Sequence, residues 1–201
     1  MADRGRARRR WRQDPEGRRA AILDAATRAF AVHGYRRARV EDIARAAGVA
    51  EGTVYHLFDS KQGLLTAVGD AYGTGLVQAA FGEHAVAVRP GAEVVAMVER
   101  IFRFVAESGG PLVAFLLTSD PEEGGPAEAA NRERMLAAIE DAVTQAIREG
   151  RVSLRDPRIA AELQFGLVES ALRDCFLRAG GRRRDVYVRE VARALNAYLE
   201  A

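Results

Sequence analysis

Between Val40 and Phe58 the chain reads VEDIARAAGVAEGTVYHLF, and this run constrains the fold more than any other. It holds two short apolar-periodic segments, about Val40–Ala47 and about Gly52–Phe58, each too short to be a stable helix alone. Such helices are stabilised by packing on each other at a steep angle, and the crossing has specific requirements. A small residue must sit where the axes approach, and Ala44 supplies it. The turn needs a residue that tolerates positive φ, and Gly48 stands four positions later. Val49 plugs the angle, Val54 locks the second helix onto the first, and Ile43 and Phe58 complete the seal. The spacing alone also fits an αα-hairpin with no nucleic-acid contact.

The rest of the chain is punctuated in the same way. Apolar residues recur at helical spacing, no segment alternates convincingly as a strand, and no internal repeat is present. Alanine occurs 38 times and isoleucine six, which favours helix over strand. Ile22, Ala26, Ala29 and Phe30 predict a helix from about Gly17 to His33, stopped by Gly34. Asp59 or Ser60 caps the next long helix, about Lys61–Gly82. Further helices are predicted from Val94, over Leu112–Thr118, over Ala127–Glu149 after a polar loop at Glu122–Pro126, from Asp156-Pro157 to about Ala179, and a last one capped by Asp185. The expectation is an all-α chain of about nine helices, the first three forming an N-terminal head.

Charge separates the head from the rest. The whole chain carries 30 Lys+Arg against 28 Asp+Glu. Residues 1–61 hold 14 basic and 8 acidic side chains, and residues 62–201 hold 16 and 20. A basic head on a mildly acidic body suggests a polyanion partner at one end. No apolar stretch approaches the ~20 residues of a membrane span, and no apolar run follows the basic start as in a secretory signal. Cys175 is the only cysteine, so no disulfide framework forms, and a cytoplasmic location is expected. With three scattered His, no metal or cofactor is expected either. Phosphate-binding Gly loops, Ser elbows and paired-His motifs are absent, and Cys175 on an apolar helical face reads as core; the chain is not expected to be an enzyme.

The ordered run Gly34-Tyr35, Val40-Glu-Asp-Ile-Ala, Ala47-Gly-Val, Gly52-Thr-Val-Tyr-His-Leu-Phe58, Ser60-Lys61 and Leu64-Leu65 closely resembles the DNA-binding domain of the TetR family of transcriptional regulators. The likeness covers about Ala20–Leu65; beyond it only length and helix pattern agree. It implies a helix-turn-helix domain over 20–65 and an effector-binding, dimerising body over 66–201, while the first 19 residues, Arg-rich and without periodicity, read by composition as a flexible arm. The implied partners are a double-stranded DNA operator, a small-molecule effector and a second copy of the chain, with no membrane.

The second motif helix would enter the major groove. Its exposed N-terminal positions are Ala50, Glu51, Gly52, Thr53 and His56. Thr53 can bond a base edge or phosphate, and His56 can donate to an acceptor. Glu51 either accepts from a cytosine amino group or merely caps the helix and repels phosphate. Tyr55 is either core or a ring with a hydroxyl for the backbone, the role the resemblance implies. Lys61 occupies the family's phosphate-contacting position; its alternative is a solvated charge. One departure concerns the two positions before the first motif helix, where the family usually has Thr or Ser. Here Ala38 cannot cap, and Arg39, beside Arg36 and Arg37, would grip phosphate by charge. The arginines of the arm either lie in a narrow minor groove or form a solubilising tail.

In the body, Ile159, Leu163, Leu172 and Phe176 with Val188, Val191, Leu195 and Leu199 are the candidate dimer interface. Met97, Ile101, Phe104, Phe115, Leu116, Met135, Ile139 and Phe165 are either core or a ligand pocket. Glu169 and Arg173 are its polar candidates, or a simple i,i+4 pair. The expected function is a dimeric repressor on a near-palindromic operator, released by a small apolar or aromatic effector. The alternative is an effector-less architectural or tethering DNA-binding protein.

Overall fold

The computed structural model describes residues 14–82, 89–108 and 121–200, with the backbone alone for 121–128 and Asn131. Among these residues there are eight α-helices and no strand: α1 Pro15–Arg37, α2 Val40–Ala47, α3 Glu51–Phe58, α4 Lys61–Phe81, α5 Ala92–Glu107, α6 Pro121–Arg148, α7 Pro157–Arg173 and α8 Arg184–Leu199. A π-helical turn, Asp174–Arg178, follows α7. The expected helix at Leu112–Thr118 lies outside the described residues. The chain forms two compact units, Met1–Val68 and Gly69–Ala201, with α4 running across the division.

Three boundaries differ from expectation. The Asp14 side chain accepts from the Glu16 N–H at 3.1 Å, and Pro15 stands at the first helical position, so residues 15–19 are helical rather than part of a flexible arm. Residues 1–13 lie outside the described set. The expected loop at Glu122–Pro126 is helical, because Pro121 opens α6 where its missing N–H costs nothing. Asp185 is not a cap: Arg183, at φ 60, precedes α8, and Asp185 falls in its first turn.

In the first unit, α1 kinks at Gly34, whose φ of 73 breaks the helical path before Tyr35–Arg37. Ile22, Ala25, Ala26 and Phe30 form its buried face, and Ile43, Ala44, Val54 and Phe58 are buried with them. The second unit is built on α5 and α8. Val94, Val98, Phe102 and Val105 of α5 and Val188, Val191, Ala192 and Leu195 of α8 share one core. Asn196 ties the two together: its Oδ1 accepts from the Gly91 N–H at 2.6 Å and its Nδ2 donates to the Gly91 carbonyl at 3.3 Å. Arg100 donates to the Ala79 and Ala80 carbonyls, both at 2.8 Å, satisfying acceptors that the end of α4 leaves open.

Candidate nucleic-acid interface and body cavity

The turn between α2 and α3 closes by two backbone bonds. The Gly48 N–H donates to Arg45 O at 3.1 Å, and the Val49 N–H to Ala44 O at 3.0 Å. This paired geometry requires a left-handed residue, and Gly48 adopts φ 70, ψ 28. Ala44 is buried at the crossing, Val49 is half-buried, and Val54 and Phe58 face inward from α3. The turn after α3 is equally determined. Asp59 takes a positive φ of 62, and Ser60 Oγ, rather than Asp59, caps α4 by accepting from the Gly63 N–H at 2.9 Å. A β-carbon on Gly63 would stand 2.0 Å from the Phe58 carbonyl oxygen, so the approach of α4 to the end of α3 demands glycine.

With its apolar side buried, α3 presents the opposite side. Ala50, Glu51, Gly52, Tyr55 and His56 are exposed, and Thr53 is half-buried. Tyr55 is 44% exposed, which removes the core reading of its ring. Arg39 is exposed immediately before α2 and makes no side-chain cap bond there. Lys61 has an internal role that its sequence position does not disclose. Its Nζ donates to the Arg36 carbonyl at 3.2 Å and lies 4.6 Å from the Tyr35 ring centre, tying the start of α4 to the end of α1. An ammonium has three donors, so this bond leaves capacity for a further acceptor.

In the body a mostly apolar cavity of about 60 Å³ opens among α4 to α8. Of the expected pocket residues, Met97, Ile101, Met135, Ile139, Phe165 and Glu169 line it. Phe104 does not; its ring packs on Tyr72 at 5.3 Å. Arg173 does not either: it donates to Glu169 at 2.9 Å and borders a separate surface groove. Phe115 and Leu116 lie outside the described residues. Sequence periodicity missed Leu76, Ala80 and Phe81 at the end of α4, and Gln164 and Val168 on α7. Gln164 is only 9% exposed, and its amide nitrogen is buried without a hydrogen-bond partner among the described residues.

The expected dimer residues divide. Leu172, Val188, Val191, Leu195 and Leu199 are buried in the protomer's own core, so they offer no surface to a partner, and three of them, Leu172, Leu195 and Leu199, also line the cavity. Phe176 is half-buried against Phe102, with ring centres 6.2 Å apart. Only Ile159 and Leu163, at 56% and 55% exposure, face outward, and Leu167 and Leu177 are exposed as well. Cys175 is fully buried and its thiol is pushed up by that burial, as suits a core residue.

A basic head whose helix-turn-helix is held at a left-handed glycine, joined to an all-helical body with an apolar cavity, defines a two-part α-helical class. Residues 22–68 match the family model for bacterial regulatory proteins of the tetR family. The HTH-type transcriptional repressor KstR2 of Rhodococcus jostii (strain RHA1) is 38% identical over 85 residues, which is 42% of this chain and 40% of that protein. The fatty acid degradation regulator FadR from Bacillus halodurans superposes with a TM-score of 0.75 at 23% identity, covering 88% of this chain and 97% of that one. FadR from Bacillus subtilis, solved in complex with stearoyl-CoA, gives 0.71 at 22% identity, covering 88% and 96%. The family match is carried by residues 22–68, the helix-turn-helix unit. The chain's sequence match spans less than half of KstR2, and the two FadR structures share its fold.

Proposed function

We propose that this chain is a dimeric transcriptional repressor that reads a near-palindromic operator through α3 and releases it when a small apolar or aromatic effector occupies the body. The observation that carries the reading is the outward side of α3, where Glu51, Tyr55 and His56 stand together next to a half-buried Thr53. A short helix with one side sealed and polar groups on the other suits a major groove. Arg39 and Lys61 add phosphate contacts at its margins, and Ala50 and Gly52 let the backbone approach.

The exposed α7 strip Ile159, Leu163 and Leu167, continued at Leu177, supports the dimer. Four large apolar side chains on one surface gain by being covered, and an isologous pairing covers both copies at once. The cavity supports the effector. Occupation by a ligand favours body conformations that hold the two heads off their half-sites, weakening operator binding by the difference in ligand affinity between the states.

Selection of bound DNA from a random pool by the full chain tests the reading. A palindrome is expected, with half-sites one or more helical turns apart. Recovery of unrelated sequences leaves only charge-driven binding and overturns it.

A further inference from the structure

The cavity is apolar except at two groups, Gln164 and Glu169. Their situations differ. The Glu169 carboxylate accepts from Arg173 at 2.9 Å and lies 3.8 Å from Arg132. Arg132 in turn pairs with Glu162 and stacks over the Phe165 ring at 4.8 Å. Acids and bases at this edge therefore balance one another. Gln164 has no such arrangement: its side chain is buried, and its amide N–H₂ has no acceptor among the described residues. A buried donor without a partner is costly, and the cost is removed when a ligand brings an acceptor to it.

Resting on the effector reading above, we infer that the effector is an uncharged lipophile carrying a carbonyl oxygen, which accepts from the Gln164 amide while its hydrocarbon portion lies along the apolar walls of the cavity. A hydrocarbon alone leaves the donor unmet. A carboxylate enters a dry site where the nearby cations are already engaged, so its burial is uncompensated. The class selected is an ester, ketone or amide with an apolar tail. A site with a buried donor discriminates strongly against analogues that lack the acceptor.

Calorimetric titration of the full-length chain with methyl octanoate, undecane and octanoate at pH 7 tests the inference. Undecane reports the affinity of hydrocarbon alone, and octanoate is expected to bind more weakly than the ester. Gln164→Met keeps side-chain length and removes the donor. It is expected to weaken the ester about tenfold while leaving undecane unchanged or improved, and Gln164→Leu is expected to do the same. Unchanged ester affinity in both variants overturns the assignment of Gln164 while leaving a cavity that binds lipophiles. An equal loss for both ligands in the two variants makes Gln164 a packing residue and also overturns it. Tighter binding of octanoate overturns the neutral class. Binding of none of the three sinks the effector reading and this inference together.

Discussion

The head and the body use apolar residues at the same helical spacing, yet they differ in what fixes each residue's destination. In the head, short-range bonds decide. Asp14 caps α1, Gly48 closes the α2–α3 turn and Ser60 caps α4, each through partners at most five residues away. Once these turns are set, each short helix has one side that can be sealed, and its other side is left exposed. In the body the helices are longer, and three destinations compete for every apolar side chain: core, cavity wall and outer strip. Leu195 is core and cavity wall, and Leu163 stands outside. The exposed surfaces of the head thus follow from its turns, while the long helices of the body leave theirs to be set by tertiary partners.

The sharpest way to break the head is to remove what its turns enclose. Phe30 is 1% exposed and among the largest fully buried side chains. Phe30→Ala is expected to cost about 4 kcal/mol, the range for emptying a buried aromatic site. Urea unfolding measures it, and operator affinity in a gel-shift titration should fall in parallel.

A pair of leucines separates core from outer strip in the body. Leu195→Ala should lower protomer stability by about 3 kcal/mol. Leu163→Arg should leave the protomer within about 0.5 kcal/mol of the parent, because an exposed site away from core features tolerates change. It should nevertheless raise the dimer dissociation constant at least a hundredfold, roughly 3 kcal/mol, by placing like charges across a symmetric contact. Sedimentation equilibrium reads the second effect and denaturant titration the first. A dimer that survives Leu163→Arg moves the interface off α7.

How much of this was legible in the sequence follows the same division. Ala44, Gly48 and Val54 announced their crossing because a tight turn admits few residue types. The start signal Asp156-Pro157 was readable, and Asp156 does accept from the Ile159 N–H at 3.0 Å. The same Asp-Pro pair at 14–15 was obscured by the arginines around it, whose composition reads as a flexible tail. The bridge from Lys61 to Arg36 and Tyr35 spans 25 residues of sequence, and no local pattern encodes it. Val188, Val191, Leu195 and Leu199 had the correct period for an inward side, but period cannot say whether that side meets its own protomer or another. Gln164 was missed because a single polar residue within an apolar stripe carries no signal until its surroundings are known.

A smaller effect sharpens the working surface of the head. Tyr55→Phe removes one hydroxyl from an exposed ring and leaves its packing intact. If that hydroxyl bonds a phosphate, operator affinity falls roughly fivefold to tenfold. Fluorescence anisotropy should show the loss on any DNA sequence, since phosphate contacts do not discriminate bases. A loss confined to the operator assigns Tyr55 to base reading.

The smallest effect concerns a polar group that the body buries without using. The Tyr72 hydroxyl has no hydrogen-bond partner among the described residues, and its burial holds the phenol pKa above the ordinary tyrosine value. Tyr72→Phe should therefore stabilise the chain at neutral pH by about 1 kcal/mol, the desolvation cost of one unmet hydroxyl. The pH dependence supplies an independent check. A folded-state pKa raised above the unfolded value of ~10 gives stability that is complete below pH ~10 and is lost as pH rises further. The loss arises because the unfolded chain ionises its phenol while the folded chain cannot. Tyr187, raised chiefly by donating to Asp174, and Tyr35, raised by burial, contribute in the same direction and remain in the variant. Thermal melting points measured from pH 8 to pH 11 should thus fall for both proteins, but less steeply for Tyr72→Phe. Parallel curves with no gain at neutral pH would mean that the hydroxyl is satisfied in solution.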